Sequence, residues 1–224
     1  MNERLAPSRR SVQYAVRKPL LDWLRAQDVG GLRVLDAGCG DRPYDELLSG
    51  AAEIVGFDVP GNPRADLHGR IDAIPVEDSS FDVVACLQVL EHVPDPAAAV
   101  RELRRVAKPG GRVLLTTHGI YPFHPNPDDL WRWTHQGLER LFRENGEWSS
   151  VTVAPGAGTV ATVAMLTAHL VDLLCKRAHM RPLAVPAVAA LNAAGEALDR
   201  AIPPLRSTIP GTLHANYHVV AVAS

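Results

Sequence analysis

Residues 34–40 read Val-Leu-Asp-Ala-Gly-Cys-Gly, and this stretch decides the fold. Its apolar start predicts the end of a buried strand, and Asp36 places a carboxylate at the carboxyl tip of that strand. Gly38 and Gly40 follow, where a bulky side chain would keep a ligand away from the backbone. Open α/β sheets bind their ligands at this edge. The stretch therefore predicts a small-molecule site at the end of the first strand.

A second acid follows the next predicted strand. Residues 53–57 read Glu-Ile-Val-Gly-Phe, and Asp58 comes directly after them. Consecutive parallel strands bring their tips to one edge of a sheet, so Asp36 and Asp58 are expected on the same edge. An acid at the second tip lies where a ribose would sit and accepts hydrogen bonds from its hydroxyls.

The glycine loop distinguishes between two nucleoside cofactors. A dinucleotide site usually shows a third glycine, Gly-x-Gly-x-x-Gly, which lets the backbone approach a pyrophosphate. Pro43 takes that third position, and Asp36 directly before the loop is unusual for the motif. S-adenosylmethionine carries no phosphate, and its ammonium group suits an acidic loop. The pattern favours S-adenosylmethionine and leaves a nicotinamide cofactor as the alternative.

Three later blocks carry a family resemblance. Residues 72–84 read Asp-Ala-Ile-Pro-Val-Glu-Asp-Ser-Ser-Phe-Asp-Val-Val, residues 86–96 read Cys-Leu-Gln-Val-Leu-Glu-His-Val-Pro-Asp-Pro, and residues 105–115 read Arg-Val-Ala-Lys-Pro-Gly-Gly-Arg-Val-Leu-Leu. Together with the glycine loop they resemble the class I S-adenosylmethionine-dependent methyltransferases, with all blocks in order over residues 32–118. The resemblance is closest to the small single-domain members that methylate diverse metabolites. A Pro- and Gly-rich stretch at 59–70 departs from the fuller helix of many members.

The resemblance implies an α/β fold, a doubly wound sheet of seven strands that is mostly parallel, with the last strand antiparallel and a helical insertion before it. Residues 1–224 are expected to form one domain. Its parts are a helical cap at 1–30, a cofactor-binding core at 32–155, a helical insertion at 156–206 that serves as a lid or interface, and a final strand region at 207–224.

Hydrophobic periodicity and capping residues give the elements. Strands are predicted at 32–36, 53–57, 81–86, 111–117, 149–154 and 215–222. Helices are predicted at 11–27, with Pro19 kinking or dividing it, at 43–49, from Asp95 to 107, after Thr134, and at 159–177 and 184–201.

The resemblance also implies the cofactor residues. The first loop contributes Asp36, Ala37, Gly38 and Gly40. Asp58 and Val59 are expected at the ribose, Asp72 and Ala73 at the adenine, and Gln88 near the methionine part. No cluster has the spacing of a strong metal site, so no metal is expected.

The loop at 118–134 is predicted to receive the acceptor, because it starts at the same sheet edge. Its aromatic side chains are expected to wall a pocket, with His124 as a proton acceptor and Asp129 or Asp128 orienting it or binding a polar acceptor. The aromatic residues are Tyr121, Phe123, Trp131 and Trp133. The alternative is a structural loop in which Arg132 pairs with an acid.

Three further residues have predicted roles. His92 is expected to have a structural or cofactor-side role rather than that of a base. Tyr14 and Arg17 form a pair on the N-terminal helix, and in some relatives an arginine there meets the methionine carboxylate. An amphipathic surface helix is the more economical interpretation of that segment.

Composition excludes several classes. The chain has 224 residues, 46% hydrophobic content and a formal net charge of −2, which gives no nucleic-acid footprint. Its three cysteines, Cys39, Cys86 and Cys175, lack metal or disulfide spacing and fit a reducing compartment, so a cytoplasmic location is expected. The uncharged run at 158–168 is soon interrupted by His169 and Asp172. It therefore predicts no membrane span, and the 156–206 region is expected to act as a lid or a homodimer surface. Two helices packed on the sheet are the alternative for this region.

The predicted function is methyl transfer from S-adenosylmethionine to a small or medium-sized acceptor, at oxygen or nitrogen, by in-line displacement. A catalytically silent cofactor-binding or regulatory partner protein is one alternative. A nicotinamide-dependent oxidoreductase is another.

Overall fold

A seven-stranded sheet lies at the centre of the structure, a computed structural model that describes residues 4–224. Its strands are β1 (Arg33–Ala37), β2 (Glu53–Asp58), β3 (Leu67–His68), β4 (Phe81–Leu87), β5 (Ala107–His118), β6 (Trp148–Pro155) and β7 (Asn216–Ala223). The helices are α1 (Tyr14–Arg25), α2 (Pro96–Val106), α3 (His135–Glu144), α4 (Thr159–Arg177) and α5 (Arg181–Ala201).

The strands lie in the order β3-β2-β1-β4-β5-β7-β6. Neighbours from β3 to β5 pair in parallel, whereas β7 runs antiparallel to both β5 and β6. The predicted mostly parallel sheet with an antiparallel last strand is confirmed. Strand order reverses between β1 and β4, and such a switch point opens a crevice at the carboxyl ends of the strands.

Alternate residues of the central strands face two different cores. Leu35 joins the core formed with α2 and α3, whereas its neighbour Val34 joins the core formed with α1. The same alternation places Cys86 on the first face and Ala85 on the second. Helices or turns therefore cover both faces of the sheet, as the doubly wound prediction requires.

Local signals placed several elements correctly. The Asp95 side chain accepts a hydrogen bond from Ala98 N at 2.9 Å at the start of α2, and Thr134 caps α3 by accepting from Gly137 N at 3.1 Å. Both are N-caps that satisfy backbone donors left free in the first helical turn. Pro19 lies inside α1, which continues through it to Arg25.

Two local features differ from the sequence prediction. Residues 43–49 form consecutive turns instead of a helix, with bonds such as Leu47 N to Tyr44 O at 2.9 Å. A segment this short between a proline and a glycine gains too few hydrogen bonds to offset helix nucleation, and Tyr44 and Leu48 are buried all the same. Strand β3 lies inside the Pro- and Gly-rich stretch and is only two residues long, so no periodicity could reveal it.

The 156–206 region forms a helical hairpin of α4 and α5. The Asp199 carboxylate on α5 accepts hydrogen bonds from Val160 N at 3.0 Å and Ala161 N at 2.9 Å, which caps the start of α4. Met165 of α4 packs with Ala15 and Val16 of α1. The two predicted helices are confirmed, and the base of the hairpin is fixed to the domain.

Candidate active site

One cavity of about 640 Å³ lies at the carboxyl ends of β1, β2, β4 and β5. This volume is within the range of about 300–1,000 Å³ that is typical of small-molecule sites. The cavity runs from Asp36, Asp58 and Asp72 at one end to His92, His118 and His124 at the other. The cavity therefore lies at the sheet edge that the two acidic strand tips predicted.

The carboxylate of Asp36 is buried, and its Oδ2 has no hydrogen-bond partner within the described residues. Burial, with a smaller contribution from the nearby Asp45 carboxylate, raises the pKa of Asp36 to about 7. A buried acceptor without a donor is costly, so this oxygen is a place for a ligand donor. A cationic group of the ligand would also restore the charged form of the acid.

The glycine loop leaves no room for side chains at its first glycine. Gly38 has a φ of +86°, and a Cβ there would lie 2.4 Å from Cγ2 of Val89. Gly40 also has a positive φ, and its N–H donates to Asp58 Oδ2 at 2.7 Å. The loop after β1 is thus tied to the acid at the tip of β2.

Asp58 lines the cavity with part of its acceptor capacity in use. Its Oδ2 accepts from Gly40 N and from the side-chain amide of Asn62, and its Oδ1 accepts from Val59 N, all at 2.7 Å. A carboxylate has about four acceptor positions, so one remains for a ligand hydroxyl. Asn62 is a residue that the sequence did not single out, because its role depends on a loop without periodicity.

The other predicted cofactor residues are placed unequally. Asp72 lines the cavity, and Arg70 donates to its carboxylate at 2.7 and 2.9 Å, which lowers the pKa of Asp72. Gln88 and Val59 also line the cavity, and Gln88 has a positive φ of 60°. Ala37 and Ala73 lie outside the cavity wall, so we leave their side chains out of the proposed contacts.

At the other end of the cavity a buried pair supports an aromatic wall. His118 Nε2 lies 3.3 Å from Glu91 Oε1, and Thr117 donates to Glu91 Oε2 at 2.8 Å. Burial raises the pKa of Glu91 and lowers that of His118 to about 2, so both shifts favour the neutral forms. The ring of Tyr121 stacks on His118 at 4.0 Å between centroids, and both rings line the cavity.

His124 lines the cavity beside these rings, with its edge toward His118. Its Nδ1 lies 3.4 Å from Asp129 Oδ1, and its backbone N–H donates to Asp129 Oδ2 at 3.0 Å. Burial lowers the pKa of His124, and the Asp129 carboxylate opposes that shift. The imidazole is therefore mainly neutral at neutral pH and can accept a proton.

The aromatic loop differs from the predicted acceptor wall. Only Tyr121 of its four large aromatics reaches the cavity. Phe123 is 77% exposed, and the Trp131 indole N–H donates to the Val93 carbonyl at 2.8 Å. Trp133 packs against the core on the α2 and α3 face. We therefore leave Phe123, Trp131 and Trp133 out of the proposed acceptor wall. Backbone turns decided which rings point inward, and sequence spacing does not encode these turns.

The two acids of that loop have different environments. Asp129 lies under the loop and pairs with Arg132, which agrees with the structural alternative for this segment. Asp128 lines the cavity, and its carbonyl is in contact with His92 Nδ1. Asp129 therefore contacts His124 from within the loop, whereas Asp128 is the acid that lines the cavity.

Glu91, His92 and His124 are the one group of at least three candidate metal ligands within residues 4–224, with their ligand atoms within 4.8 Å of one another. Opposite ligands of a single ion with bonds of about 2.1 Å are no more than about 4.2 Å apart. The group would have to contract before one ion could contact all three, so we assign it no metal.

Helix α1 and the residue before it contribute to the cavity wall. Gln13, Val16, Arg17 and Leu20 line the cavity, whereas the Tyr14 hydroxyl donates to Glu196 on α5 at 2.9 Å. The predicted pair is thus divided, with Arg17 at the cavity and Tyr14 on the hairpin. Gln13 was missed because no sequence signal distinguishes it, and the apolar wall residues were missed because their spacing predicts ordinary core packing.

Comparison with known proteins identifies similar proteins for part of the chain. Residues 35–115 match the family model described as a methyltransferase domain. The ubiquinone biosynthesis O-methyltransferase of Bordetella bronchiseptica is 38% identical over 122 residues, covering 46% of this chain and 51% of the relative. The protein with the same description from Ralstonia nicotianae is 38% identical over 114 residues, covering 43% and 48%. The chain thus spans about half the length of the curated relatives it matches.

Solved structures show the same fold over most of the chain. The [4+2]-cyclase SpnF has a TM-score of 0.61 and 21% identity, covering 96% of this chain and 85% of its own. Phosphoethanolamine N-methyltransferase 2 of Haemonchus contortus, in complex with S-adenosyl-L-methionine, has a TM-score of 0.56 and 16% identity, covering 99% and 59%. Residues 35–115 thus match a methyltransferase domain, and the sheet has the topology that the resemblance to class I S-adenosylmethionine-dependent methyltransferases predicts.

Proposed function

We propose that this protein transfers the methyl group of S-adenosylmethionine to a hydroxyl oxygen of a small or medium-sized acceptor. The observation that carries the proposal is the single cavity that joins an acid-lined end at β1 and β2 to a histidine-lined end after β4 and β5. One end suits a cofactor with an ammonium group and a ribose, and the other suits a group that loses a proton. The cytoplasmic location and the homodimer stay predictions.

The residues present fit the cofactor. The orphaned Oδ2 of Asp36 would accept from its ammonium group, and Arg17, which lines the same cavity, would meet its carboxylate. Asp58 has one unused acceptor position for a ribose hydroxyl. A second position would become available if the Asn62 amide no longer donated to Asp58 Oδ2. When bound, S-adenosylmethionine supplies an electrophilic methyl group, so the protein's main contributions are proximity and alignment.

His124 is the proposed proton acceptor. A hydroxyl acceptor must lose its proton during transfer, and a neutral imidazole that faces the cavity is suited to take it. His118 is too weak a base, because burial lowers its pKa to about 2. Asp129 holds the His124 backbone and lies near its ring, so it orients the base.

An oxygen acceptor is favoured over nitrogen by this base. A neutral amine attacks through its own lone pair, whereas a hydroxyl is a weak nucleophile until a base takes its proton. The relatives from Bordetella bronchiseptica and Ralstonia nicotianae are named ubiquinone biosynthesis O-methyltransferases, which supports oxygen as the methylated atom.

Cofactor binding without methyl transfer is the second candidate function. One of the solved structures with this fold is named a [4+2]-cyclase, so the fold alone does not determine the reaction. The histidine end of the cavity is the feature that favours transfer over this candidate.

The experiment begins with calorimetric titration of S-adenosylhomocysteine into the wild type and an Asp36→Ala variant. We expect micromolar binding that the substitution weakens. Single-turnover transfer of a labelled methyl group to a panel of hydroxylated aromatics then follows for the wild type, His124→Asn and the control His179→Asn, an exposed histidine on the hairpin.

We expect His124→Asn to slow methyl transfer by about 10²–10⁴-fold while its affinity for S-adenosylhomocysteine stays unchanged. The control His179→Asn is expected to react at the wild-type rate. Binding of the cofactor product without transfer to any hydroxylated acceptor would favour the second candidate. Absence of binding would overturn both.

A further inference from the structure

We propose that the tip of the α4–α5 hairpin docks on the surface of an anionic lipid membrane. The tip presents a set of large apolar side chains, named here the tip patch, each between 44% and 56% exposed. Its members are Leu170, Leu173, Leu174, Met180, Leu183 and Val185. Large exposed apolar side chains grouped at one end of a hairpin indicate an interaction surface, whereas single exposed leucines are ordinary.

Helix α4 places its small and large apolar residues in the reverse of the usual arrangement for a surface helix. Its inward face carries mainly small residues, including Ala164 and Ala168, and α5 approaches so closely that a Cβ at Gly195 would lie 2.9 Å from Ala161 Cα. Its outward face carries the leucines at helical spacing, 170, 173 and 174. A helix that packs inward through alanine and presents leucine outward is built for a second apolar contact.

The charges around the patch are positive. Lys176 and Arg177 end α4, Arg181 begins α5, and no aspartate or glutamate occurs from Leu173 to Gly195. Asp172 precedes this range and pairs with Lys176. The chain as a whole has a formal net charge of −2, so the cations are a local feature. Exposed leucines flanked by arginine and lysine match the headgroup region of an anionic bilayer.

The structure of the hairpin favours docking on a membrane surface over crossing the membrane and over dimerisation through the tip. Helix α4 is long and apolar enough to cross a membrane by length and composition alone. Its first half, however, is fixed to α1 through Met165, so only the tip is available. A pairing of two tips would bring the cations at the end of one hairpin near those of the other, and like charges there oppose association.

The patch lies beside the acceptor end of the cavity. The His169 ring contacts the Tyr121 ring at 5.7 Å between centroids, and Tyr121 lines the cavity. The leucines of α4 follow His169 by one to five residues, which is about 1.5–7.5 Å along the helix axis. If the proposed function holds, a docked protein would receive an acceptor that is itself dissolved in the membrane.

Sedimentation with vesicles tests the docking without cofactor or acceptor. The vesicles are phosphatidylcholine alone or phosphatidylcholine with 30% phosphatidylglycerol. We expect the wild type to bind the anionic vesicles and to be released by salt. The variant Leu173→Ser/Leu174→Ser is expected to lose at least tenfold in affinity, and Arg177→Gln and Arg181→Gln about fivefold each.

Matched controls lie on the same hairpin away from the tip. Leu198→Ser replaces an equally exposed leucine of α5, and Arg200→Gln replaces an exposed arginine near its end. Both are expected to bind vesicles as the wild type does. Thermal unfolding checks that each variant is folded. We expect every variant to be folded, because the replaced side chains are largely exposed.

Three outcomes would overturn the proposal. They are the absence of vesicle binding by the wild type, equal loss in the tip and control variants, and a wild-type dimer that the leucine substitutions convert to monomer without vesicle binding. The last outcome would assign the patch to a second copy of the chain. Because no methyl transfer is measured, failure of the proposed function leaves this result unaffected.

Discussion

The Arg132 guanidinium donates two parallel hydrogen bonds to the Asp129 carboxylate, from Nη1 to Oδ1 at 2.6 Å and from Nη2 to Oδ2 at 2.7 Å. The same guanidinium donates to the carbonyls of Tyr121 and Pro122, each at 3.1 Å. The Asp129 side chain is only 2% exposed. One ion pair thus joins the two ends of the loop that carries the proposed base His124.

Arg132→Ala is expected to destabilise the protein, because it leaves the buried Asp129 carboxylate without its strongest donors. We expect a loss of about 1–3 kcal/mol in the free energy of unfolding, measured by urea denaturation. Arg140→Ala is the control, because its partner Glu144 and its own side chain are 56% and 76% exposed. Its expected cost is below about 0.5 kcal/mol. Equal losses in the two variants would contradict the structural role of Arg132.

Cofactor affinity is expected to depend on pH through Asp36. Its pKa is raised to about 7, so below that pH the free protein holds a neutral carboxyl that attracts an ammonium group weakly. We expect S-adenosylhomocysteine to bind about tenfold more weakly at pH 6 than at pH 8. Calorimetry at the two pH values checks this. Asp36→Asn should bind weakly at both, whereas Asp58→Asn should keep the dependence, and a pH-independent wild type would contradict the assignment.

Gly38→Ala tests the close approach of the glycine loop to Val89. The substitution adds a positive-φ cost and a clash with the Val89 side chain, where the Cβ would lie 2.4 Å from Cγ2. We expect a loss of about 2–4 kcal/mol in the free energy of unfolding. The matched control is Gly61→Ala, with a φ of +96° and open space around its Cβ, expected to cost about 1–2 kcal/mol. Adding Val89→Ala should recover part of the loss in the first variant only.

Acid sensitivity is expected from the buried His218. Burial lowers its pKa to about 4, so between the ordinary value of about 6.5 and pH 4 the unfolded chain binds a proton that the folded chain does not. The free energy of unfolding therefore falls as pH falls through this window, by about 2–4 kcal/mol.

His218→Gln should flatten that part of the pH profile, and the exposed His179→Gln should leave it unchanged. The lowered pKa of His118 acts with the same sign, so some acid sensitivity is expected to remain in the first variant. Urea denaturation at pH 7, 5 and 4 is the measurement. Parallel profiles of wild type and His218→Gln would contradict the prediction.

Features that repeat locally were predictable from the sequence. The apolar runs that end at Asp36 and Asp58 predicted two parallel strand tips, and both acids line the cavity. The caps Asp95 and Thr134 make the expected hydrogen bonds. Each of these signals depends on residues within a few positions of one another, so the chain carries them before it folds.

The acceptor end was predicted less well. Tyr121 and His124 line the cavity as expected, whereas Phe123, Trp131 and Trp133 lie elsewhere. These side chains sit in a segment without helix or strand, where no period relates position to direction. The Arg132 pair with Asp129 and the contact of Tyr121 with His169 fix the directions instead.

The sequence by itself determined the strand and helix pattern, the two acids at neighbouring tips and the glycines between them, because hydrophobic period and backbone conformation are local properties. Only the tertiary structure decided that Arg17 and Tyr121 line one cavity, that Asp36 has an oxygen without a donor and that the leucines of α4 face outward. Those properties depend on which surfaces meet after the sheet forms. They arise from packing between segments far apart in the chain, which no local pattern records.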